Sequence, residues 1–289
     1  MRLAPLCLAL LIAAAQARAD YVADRAAAAA LDKAGQAARA RVAFLALAQG
    51  ELSEFQKSDA LEQAALLSNR LKRVDEAIAL ARQIPLPHVA KATEMQILSD
   101  HRQRQELIGR FGKEDLATWP DSLIGKAAHC RGKAYYALKD GKAAERDLRL
   151  ASEHLLEDNS LGLALIALGD TYRHRLGDED KALTCYRRVY RQRNVYKRSQ
   201  AAMNAAAILR GRKQFDDALK ELAVIPMDRV TLPYWRSRML LAWGGTLASA
   251  GKPAEAAAKY REVLRLEGVT GNIRAACERA LQSLGRDRQ

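Results

Sequence analysis

Apolar and polar positions follow a helical period along most of the chain, and between Ile124 and Glu267 the same pattern of two helices occurs four times. A small residue stands midway along each first helix, and successive small residues lie 37, 37 and 38 positions apart. They are Gly132, Gly169, Ala206 and Gly244, and three positions after each comes a large residue, Tyr135, Tyr172, Leu209 or Leu247. In the second helices the matching pairs are Ala144 with Leu148, Ala182 with Tyr186, Ala218 with Leu222 and Ala256 with Tyr260.

This spacing predicts antiparallel helical hairpins. Two such helices approach closely only where one of them presents Gly or Ala, and a large side chain one turn away fills the space beside the crossing. A single hairpin cannot bury its own apolar face. Successive hairpins are therefore expected to stack into a solenoid.

The four segments resemble tetratricopeptide repeats (TPRs) in the small residue, the Tyr or Leu after it, and the Ala and aromatic or Leu of the second helix. The resemblance implies an all-α, right-handed superhelical solenoid of antiparallel hairpins. The repeat here is longer than the usual length of about 34 residues, and the usual closing proline is missing. The aromatic residue that often opens the first helix is replaced by Ala128, Leu165, Ala202 and Leu240.

The resemblance also implies that a protein or peptide partner binds in a groove lined by the first helices. Counted from the small residues, this predicted groove contains Lys126, His129, Lys133, Tyr136, Arg173, Asn204, Arg210 and Arg238. Such a polar, positive groove would suit an extended acidic peptide. One TPR subclass grips a C-terminal carboxylate with Lys, Asn and Arg side chains, but only Asn204 matches that set. The sequence therefore does not support that clamp.

The helical pattern extends to the N-terminal side of the four repeats, over residues 20–120. We predict one long helix from Tyr21 to Gln49, followed by a hairpin within Lys57–Ile84 that has Ala65 and Ala77 at the repeat spacing. Val89–Thr118 is either a degenerate repeat or a packing insert.

A turn at Trp119–Ser122 separates this region from the four repeats, with Asp121 or Ser122 expected to cap the next helix. The repeats then fill residues 121–268. Residues 269–289 are predicted to form a capping helix with a polar tail.

The first 19 residues have the three parts of a secretory signal peptide. Arg2 supplies the positive start, Leu3–Ala15 is apolar but too short to span a bilayer, and Ala17–Ala19 is an A-x-A cleavage site before Asp20. A buried N-terminal helix is the alternative interpretation. Cys7 lies too near the start for a lipoprotein anchor. We therefore predict export, either to a periplasm or into the medium.

Candidate chemistry is sparse in this sequence. It contains no nucleophile elbow, zinc-protease, Walker or dinucleotide motif, and its five histidines form no ligand pair at i, i+4. Cys130, Cys185 and Cys277 have no zinc spacing and are odd in number, so buried helical thiols are predicted. Carboxylate pairs such as Asp216 and Asp217 suit helix starts rather than acid–base catalysis. We expect a binding protein with no enzymatic activity, metal or cofactor. The sequence does not decide whether the chain self-associates.

Charge adds a second candidate surface. The net charge of +13 falls to +11 if cleavage removes Arg2 and Arg18, because no acid precedes Asp20 (13 − 2 = 11). From Lys181 to Phe215 there are ten Lys or Arg and no acid, with three tyrosines interleaved. The densest part is a predicted basic patch of Arg187, Arg188, Arg191, Arg193, Lys197 and Arg198.

This patch would suit an anionic polymer, either envelope polysaccharide, a lipid surface or nucleic acid. The alternative interpretation is a solvated helix end, whose arginines are favoured by the helix dipole. Tyr186 is a core position of the repeat and is not expected to stack on a ligand.

Overall fold

The computed structural model describes residues 20–286, and every regular element among them is helical. The predicted all-α class is therefore confirmed. The predicted signal peptide, including Cys7, and the last three residues of the tail lie outside the described residues. The chain divides into two compact units, Met1–Leu138 (unit 1) and Lys139–Gln289 (unit 2).

Unit 1 has seven helices among its described residues. Helix α3 packs against α2, α4 and α5, and α5 packs against α6 and α7, so neighbours in sequence are neighbours in space. The helices are α1 (described over residues 20–33), α2 (Ala37–Ala48), α3 (Glu54–Arg70), α4 (Val74–Ala81), α5 (Pro87–Asp100), α6 (Arg104–Phe111) and α7 (Asp121–Ala137).

Unit 2 has eight helices in its described part. They are α8 (Gly141–His154), α9 (Asp158–Thr171), α10 (Glu179–Val189), α11 (Val195–Gly211), α12 (Phe215–Ala223), α13 (Pro233–Ser249), α14 (Pro253–Arg265) and α15 (Gly271–Arg286). The first helices α9, α11 and α13 lie side by side, and the second helices α10, α12 and α14 fold back on them. Helix α15 packs on α13 and α14, as expected for a capping helix.

The same backbone conformation occurs at seven turns between consecutive helices in the described range. A single residue in the left-handed region follows the first helix, and the second helix begins two residues later. These residues are Gly35, Lys72, Arg102, Lys139, Gly177, Lys213 and Gly251, with φ between 58° and 76°. Val89–Thr118, for which the sequence left two alternatives, thus contains a hairpin, α5–α6, with the same turn as the others.

The prediction of one long helix from Tyr21 to Gln49 is wrong. Gly35 has φ +76°, and the chain leaves α1 after residue 33 and re-enters helix at Ala37. The alanine-rich helical pattern continues on both sides of this turn, so the pattern alone does not reveal it. The glycine, which adopts the left-handed conformation, is the residue that marks the turn. The predicted cap of α7 is also wrong, because Pro120 holds the cap position and Asp121 is the first helical residue.

Two of the predicted small residues, Gly169 and Gly244, lie at hairpin crossings in unit 2. A Cβ on Gly169 would stand 2.5 Å from Cε1 of Tyr186, and one on Gly244 would stand 2.6 Å from Cε1 of Tyr260. Both tyrosines belong to the second helix and are buried. The aromatic ring of the second helix, rather than a residue of the first, therefore fills the crossing.

Candidate functional site

Four of the predicted groove residues, Lys126, His129, Lys133 and Tyr136, lie on α7 in unit 1. Lys126 Nζ is 3.1 Å from Oε1 of Glu62 on α3, so an acid of the same unit neutralises the charge of Lys126. Burial and the neighbouring Lys133 lower the pKa of His129 to about 4, which leaves the imidazole neutral at pH 7. Tyr136 is half-buried, whereas Lys133 is exposed and presents its charge to solvent.

The other four predicted groove residues lie in unit 2. Arg173 is in the π-helical turn Tyr172–Leu176 directly after α9, Asn204 and Arg210 are on α11, and Arg238 is on α13. All four are half-buried. We call the half-exposed residues of α9, its following turn, α11 and α13 the first-helix face.

Asp170, which the sequence analysis did not single out, anchors a hydrogen-bond network on this face. Its Oδ1 accepts from the Tyr186 hydroxyl at 2.6 Å and from Asn204 Nδ2 at 3.1 Å. Burial raises the pKa of Asp170, while the bond from Tyr186 and the charges of His174 and Arg173 oppose the rise. The amide of Asn204 therefore binds an acid of its own chain. An acid directly after the apolar residues 161–169 of α9 was an available sequence signal.

Arg210 lies over the adjacent first helix. Its Nη1 is 2.8 Å from the point where a Cβ on Gly245 would stand, and the Tyr260 hydroxyl is 3.9 Å from that point. Within the described part of the chain, neither Arg210 nor the Tyr260 hydroxyl makes a hydrogen bond or ion pair to another side chain. Two donors thus converge beside a residue that has no side chain.

Arg238 is held between two aromatic rings at the start of α13. Its guanidinium carbon is 5.6 Å from the ring centroid of Tyr234 and 5.4 Å from that of Trp235, and its Nη1 donates to the Tyr234 hydroxyl at 3.3 Å. Tyr196 of α11 stacks on Trp235 with the centroids 6.3 Å apart. Neither Tyr234 nor Trp235 was singled out from the sequence.

The basic run is free of acids in sequence but not in space. Arg187 Nη2 is 2.6 Å from Oε1 of Glu221 on α12. Arg212 is 2.7 Å from both Glu179 and Asp180 at the start of α10. Neighbouring helices therefore neutralise part of the charge that the sequence presents as one block.

The tyrosines of the run have structural partners. Tyr186 is buried against Gly169, the Tyr190 hydroxyl donates to Glu221 Oε2 at 2.6 Å, and the Tyr196 hydroxyl is 3.1 Å from Thr231 Oγ1. The expectation that Tyr186 is a core residue is confirmed.

The remaining patch residues differ in exposure. Arg188, Arg191 and Arg193 are exposed at the end of α10 and in the turn after it, and the described residues offer them no carboxylate within ion-pair distance. Lys197 and Arg198 are half-buried on α11, and burial lowers the pKa of Lys197. These three arginines are thus the part of the predicted patch that is exposed and has no carboxylate partner among the described residues.

The thiols of Cys130, Cys185 and Cys277 are free and buried, as predicted. Burial raises the pKa of all three, that of Cys185 to about 11. Among residues 20–286, no three His, Cys, Asp or Glu side chains converge as metal ligands would. The same range contains no helix with the length and apolarity needed to cross a bilayer.

No protein-family model and no curated protein matches the sequence. Solved structures match the fold. A tetratricopeptide repeat protein from Parabacteroides merdae is 13% identical over 92% of this chain and 98% of its own, with a TM-score of 0.52. For pilF of Pseudomonas aeruginosa the values are 14%, 81% and 99%, with a TM-score of 0.54. The C-terminal part of a TPR repeat-containing protein from Cytophaga hutchinsonii is 15% identical over 68% of this chain and 72% of its own, with a TM-score of 0.53.

At these identities the likeness concerns the fold alone. The chain is a TPR-like helical solenoid, and the resemblance predicted from the repeat pattern is confirmed at the level of the fold.

Proposed function

We propose that this chain is an exported, non-enzymatic scaffold that binds an acidic segment of a protein partner on the first-helix face of unit 2. The observation that carries the proposal is a pair of half-buried arginines on that face, Arg210 and Arg238. Within the described residues neither has a carboxylate at ion-pair distance. Charges that are partly removed from water interact more strongly than exposed ones, and arginine suits carboxylates because its donors match their geometry.

The setting of Arg238 supports the same role. Contact with the rings of Tyr234 and Trp235 restricts the guanidinium before any partner arrives. Less rotamer freedom is then lost on binding, which favours affinity. The aromatic rings would also pack against the apolar part of a bound segment.

The proposal of a non-enzymatic protein draws support from the state of its nucleophiles. A buried thiol with a raised pKa is a poor nucleophile, since the thiolate is the reactive form. Asp170, the most buried acid of the first-helix face, is held by Tyr186 and Asn204.

Export is the cellular part of the proposal and rests on the signal-like residues 1–19. Expression of the full chain in a bacterial host should yield an envelope or secreted form that begins at Asp20. N-terminal sequencing of that form is the test. A cytoplasmic product that retains residues 1–19 would contradict export.

Site-specific photocrosslinking tests the binding face. A photoreactive residue at Ala242, half-exposed on α13, should capture one protein partner in a native envelope fraction. The matched position is Ala258, an exposed alanine of α14, where no such adduct is expected. Equal capture at both positions, or none at either, would count against the proposed face.

Charge reversal tests the arginines themselves. Arg210→Glu with Arg238→Glu should weaken binding of the captured partner by about 100-fold or more, because like charges now face its acids. Arg261→Glu on the exposed side of α14 is the charge-matched control. Lys133→Glu separately tests whether the exposed lysine of α7 contributes. The face is wrong if the double variant binds as tightly as the control.

A second candidate function is binding of an anionic polymer, and the three exposed arginines Arg188, Arg191 and Arg193 favour it. Such binding releases counterions and weakens steeply as salt rises. Binding to lipopolysaccharide, anionic vesicles and single-stranded DNA should be measured from low to high salt. Replacing the three arginines with Gln should lower the salt slope by roughly 2 to 3. Salt-insensitive binding would exclude this candidate.

A further inference from the structure

The hairpins α9–α10 and α13–α14 cross in the same geometry. A Cβ on Gly169 would lie 2.5, 2.9 and 3.0 Å from Cε1, Cδ1 and Cζ of Tyr186, and a Cβ on Gly244 would lie 2.6, 2.9 and 3.0 Å from the same atoms of Tyr260. Each ring therefore brings its hydroxyl to the same place relative to its hairpin. That place adjoins the next residue of the first helix, which is Asp170 in one hairpin and Gly245 in the other.

The hairpin α9–α10 shows what this place can hold. The carboxylate of Asp170 accepts one hydrogen bond from the Tyr186 hydroxyl and another from Asn204, which belongs to the adjacent first helix α11. A tyrosine hydroxyl and a donor from a neighbouring first helix thus both reach a carboxyl group at this place.

The hairpin α13–α14 has the donors without the acid. Gly245 contributes no side chain, and the Tyr260 hydroxyl and Arg210 Nη1 both lie within 3.9 Å of the point where its Cβ would be. Here the donor of the adjacent first helix is a guanidinium, which binds carboxylates more strongly than an amide does. Arg210 and Gly245 are half-exposed, so the place can be reached from solvent.

We propose that Arg210 and Tyr260 form a binding site for one carboxylate of the partner, an aspartate or glutamate side chain that lies beside Gly245 where the equivalent hairpin carries its own Asp170. This site rests on the proposed function and names the chemistry that the first-helix face recognises. Arg238, on the same helix as Gly245, would meet a further acid of the same segment.

The decisive variant is Gly245→Asp, which would let the chain fill its own site. The new Cβ would come too close to the tip of Arg210 but not to the Tyr260 hydroxyl at 3.9 Å, and the flexible arginine end can move and then pair with the new carboxylate. The variant should fold normally by circular dichroism and lose binding. Ala258→Asp on the exposed side of α14 adds the same charge away from the site and serves as control.

The probe is a fluorescein-labelled hexaglutamate peptide with an amidated C-terminus, measured by fluorescence polarisation at low salt with the full mature chain. Gly245→Asp and Arg210→Gln should each weaken binding by about tenfold or more, and Tyr260→Phe by roughly threefold or more, since it removes one hydroxyl and keeps the buried ring. Ala258→Asp should change binding by less than about twofold.

A hexaglutamine peptide with a free C-terminus separates the two sources of a carboxylate. If it binds and the amidated hexaglutamate does not, the site reads a chain end and the side-chain proposal is overturned. Unchanged hexaglutamate binding in folded Gly245→Asp also overturns it. The proposed function fails separately if photocrosslinking at Ala242 captures nothing. If a partner is captured and binds Gly245→Asp as tightly as the native chain, the proposed function is retained and the carboxylate site is rejected.

Discussion

At Asp170, burial and hydrogen bonding act on the same carboxyl group in opposite directions. Burial disfavours the charge and raises the pKa, and it outweighs the bond from Tyr186 and the charges of His174 and Arg173. The folded chain therefore binds this proton more tightly than the unfolded chain does. The contribution to the free energy of unfolding is then fully present below the unfolded pKa and is lost as the pH rises through the folded pKa.

Asp170→Asn should reveal the free-energy cost of burying the ionised carboxylate of Asp170. The amide keeps an Oδ1 that can accept from both Tyr186 and Asn204, and it carries no charge to bury. We expect the variant to be more stable than the native chain at pH 7 and the difference to shrink as the pH is lowered. Urea unfolding at pH 7 and pH 4 measures this, with the exposed Asp216→Asn as control. A less stable Asp170→Asn at pH 7 would mean that the ionised carboxylate is a net stabiliser.

The same hydrogen-bond network shows which contacts of single residues could be predicted from the sequence and which could not. Gly169 and Gly244 could be assigned to helix crossings because the steric requirement for a small residue repeats along the chain. The bond between Asp170 and Asn204 could not be assigned in this way, because it joins two hairpins across 34 positions. A further sequence signal was the difference between Asp170 and Gly245 at matching positions of the repeat.

Among the helical hairpins, one turn conformation is encoded by two kinds of residue. Gly35, Gly177 and Gly251 adopt positive φ freely, whereas Lys72, Arg102, Lys139 and Lys213 do so against a cost of about 1–2 kcal/mol. Lysine and arginine give no turn signal in sequence. At Arg102, between α5 and α6, the residue type therefore does not mark the turn, although the turn is regular.

Lys213→Gly should stabilise the chain because it removes this strain from the turn between α11 and α12, where φ is 60°. Glycine is also freer in the unfolded chain, which offsets part of the gain and leaves roughly 0.5–1 kcal/mol. Urea unfolding measures the change. Lys252→Gly is the matched control, since Lys252 has φ −108° and should gain nothing. A destabilised Lys213→Gly would mean that the lysine side chain makes a contact worth more than the strain.

Across the whole molecule, charge is the property that the sequence predicts least well. The acid-free run from Lys181 to Phe215 suggested one basic surface, but folding brings Glu221 and Glu179 against Arg187 and Arg212. The repeat pattern is local and survives folding unchanged, whereas electrostatic neighbours are set by how helices pack. For this reason the solenoid could be predicted in detail and the accessible part of the basic patch could not.

Stability in a helical solenoid is also expected to be regional, because each hairpin contacts only its neighbours. Gly244→Ala tests this in unit 2. Its new Cβ would stand 2.6 Å from the ring of Tyr260, which is 4% exposed and has little room to move. Overpacking of this kind costs about 1–3 kcal/mol. Hydrogen exchange should therefore rise most in α13, α14 and α15, less in α11 and α12, and least in α8 and α9.

Gly211→Ala separates overpacking from the general effect of adding a methyl group. Gly211 ends α11, and no heavy atom lies within 4 Å of the point where its Cβ would stand, so alanine there should be neutral or stabilising and should leave exchange in α13 unchanged. If Gly244→Ala instead raised exchange equally in all helices of unit 2, the unit would open as one cooperative body. The proposed carboxylate site at Arg210 and Tyr260 would then depend on every hairpin of the unit rather than on the two that contribute its residues.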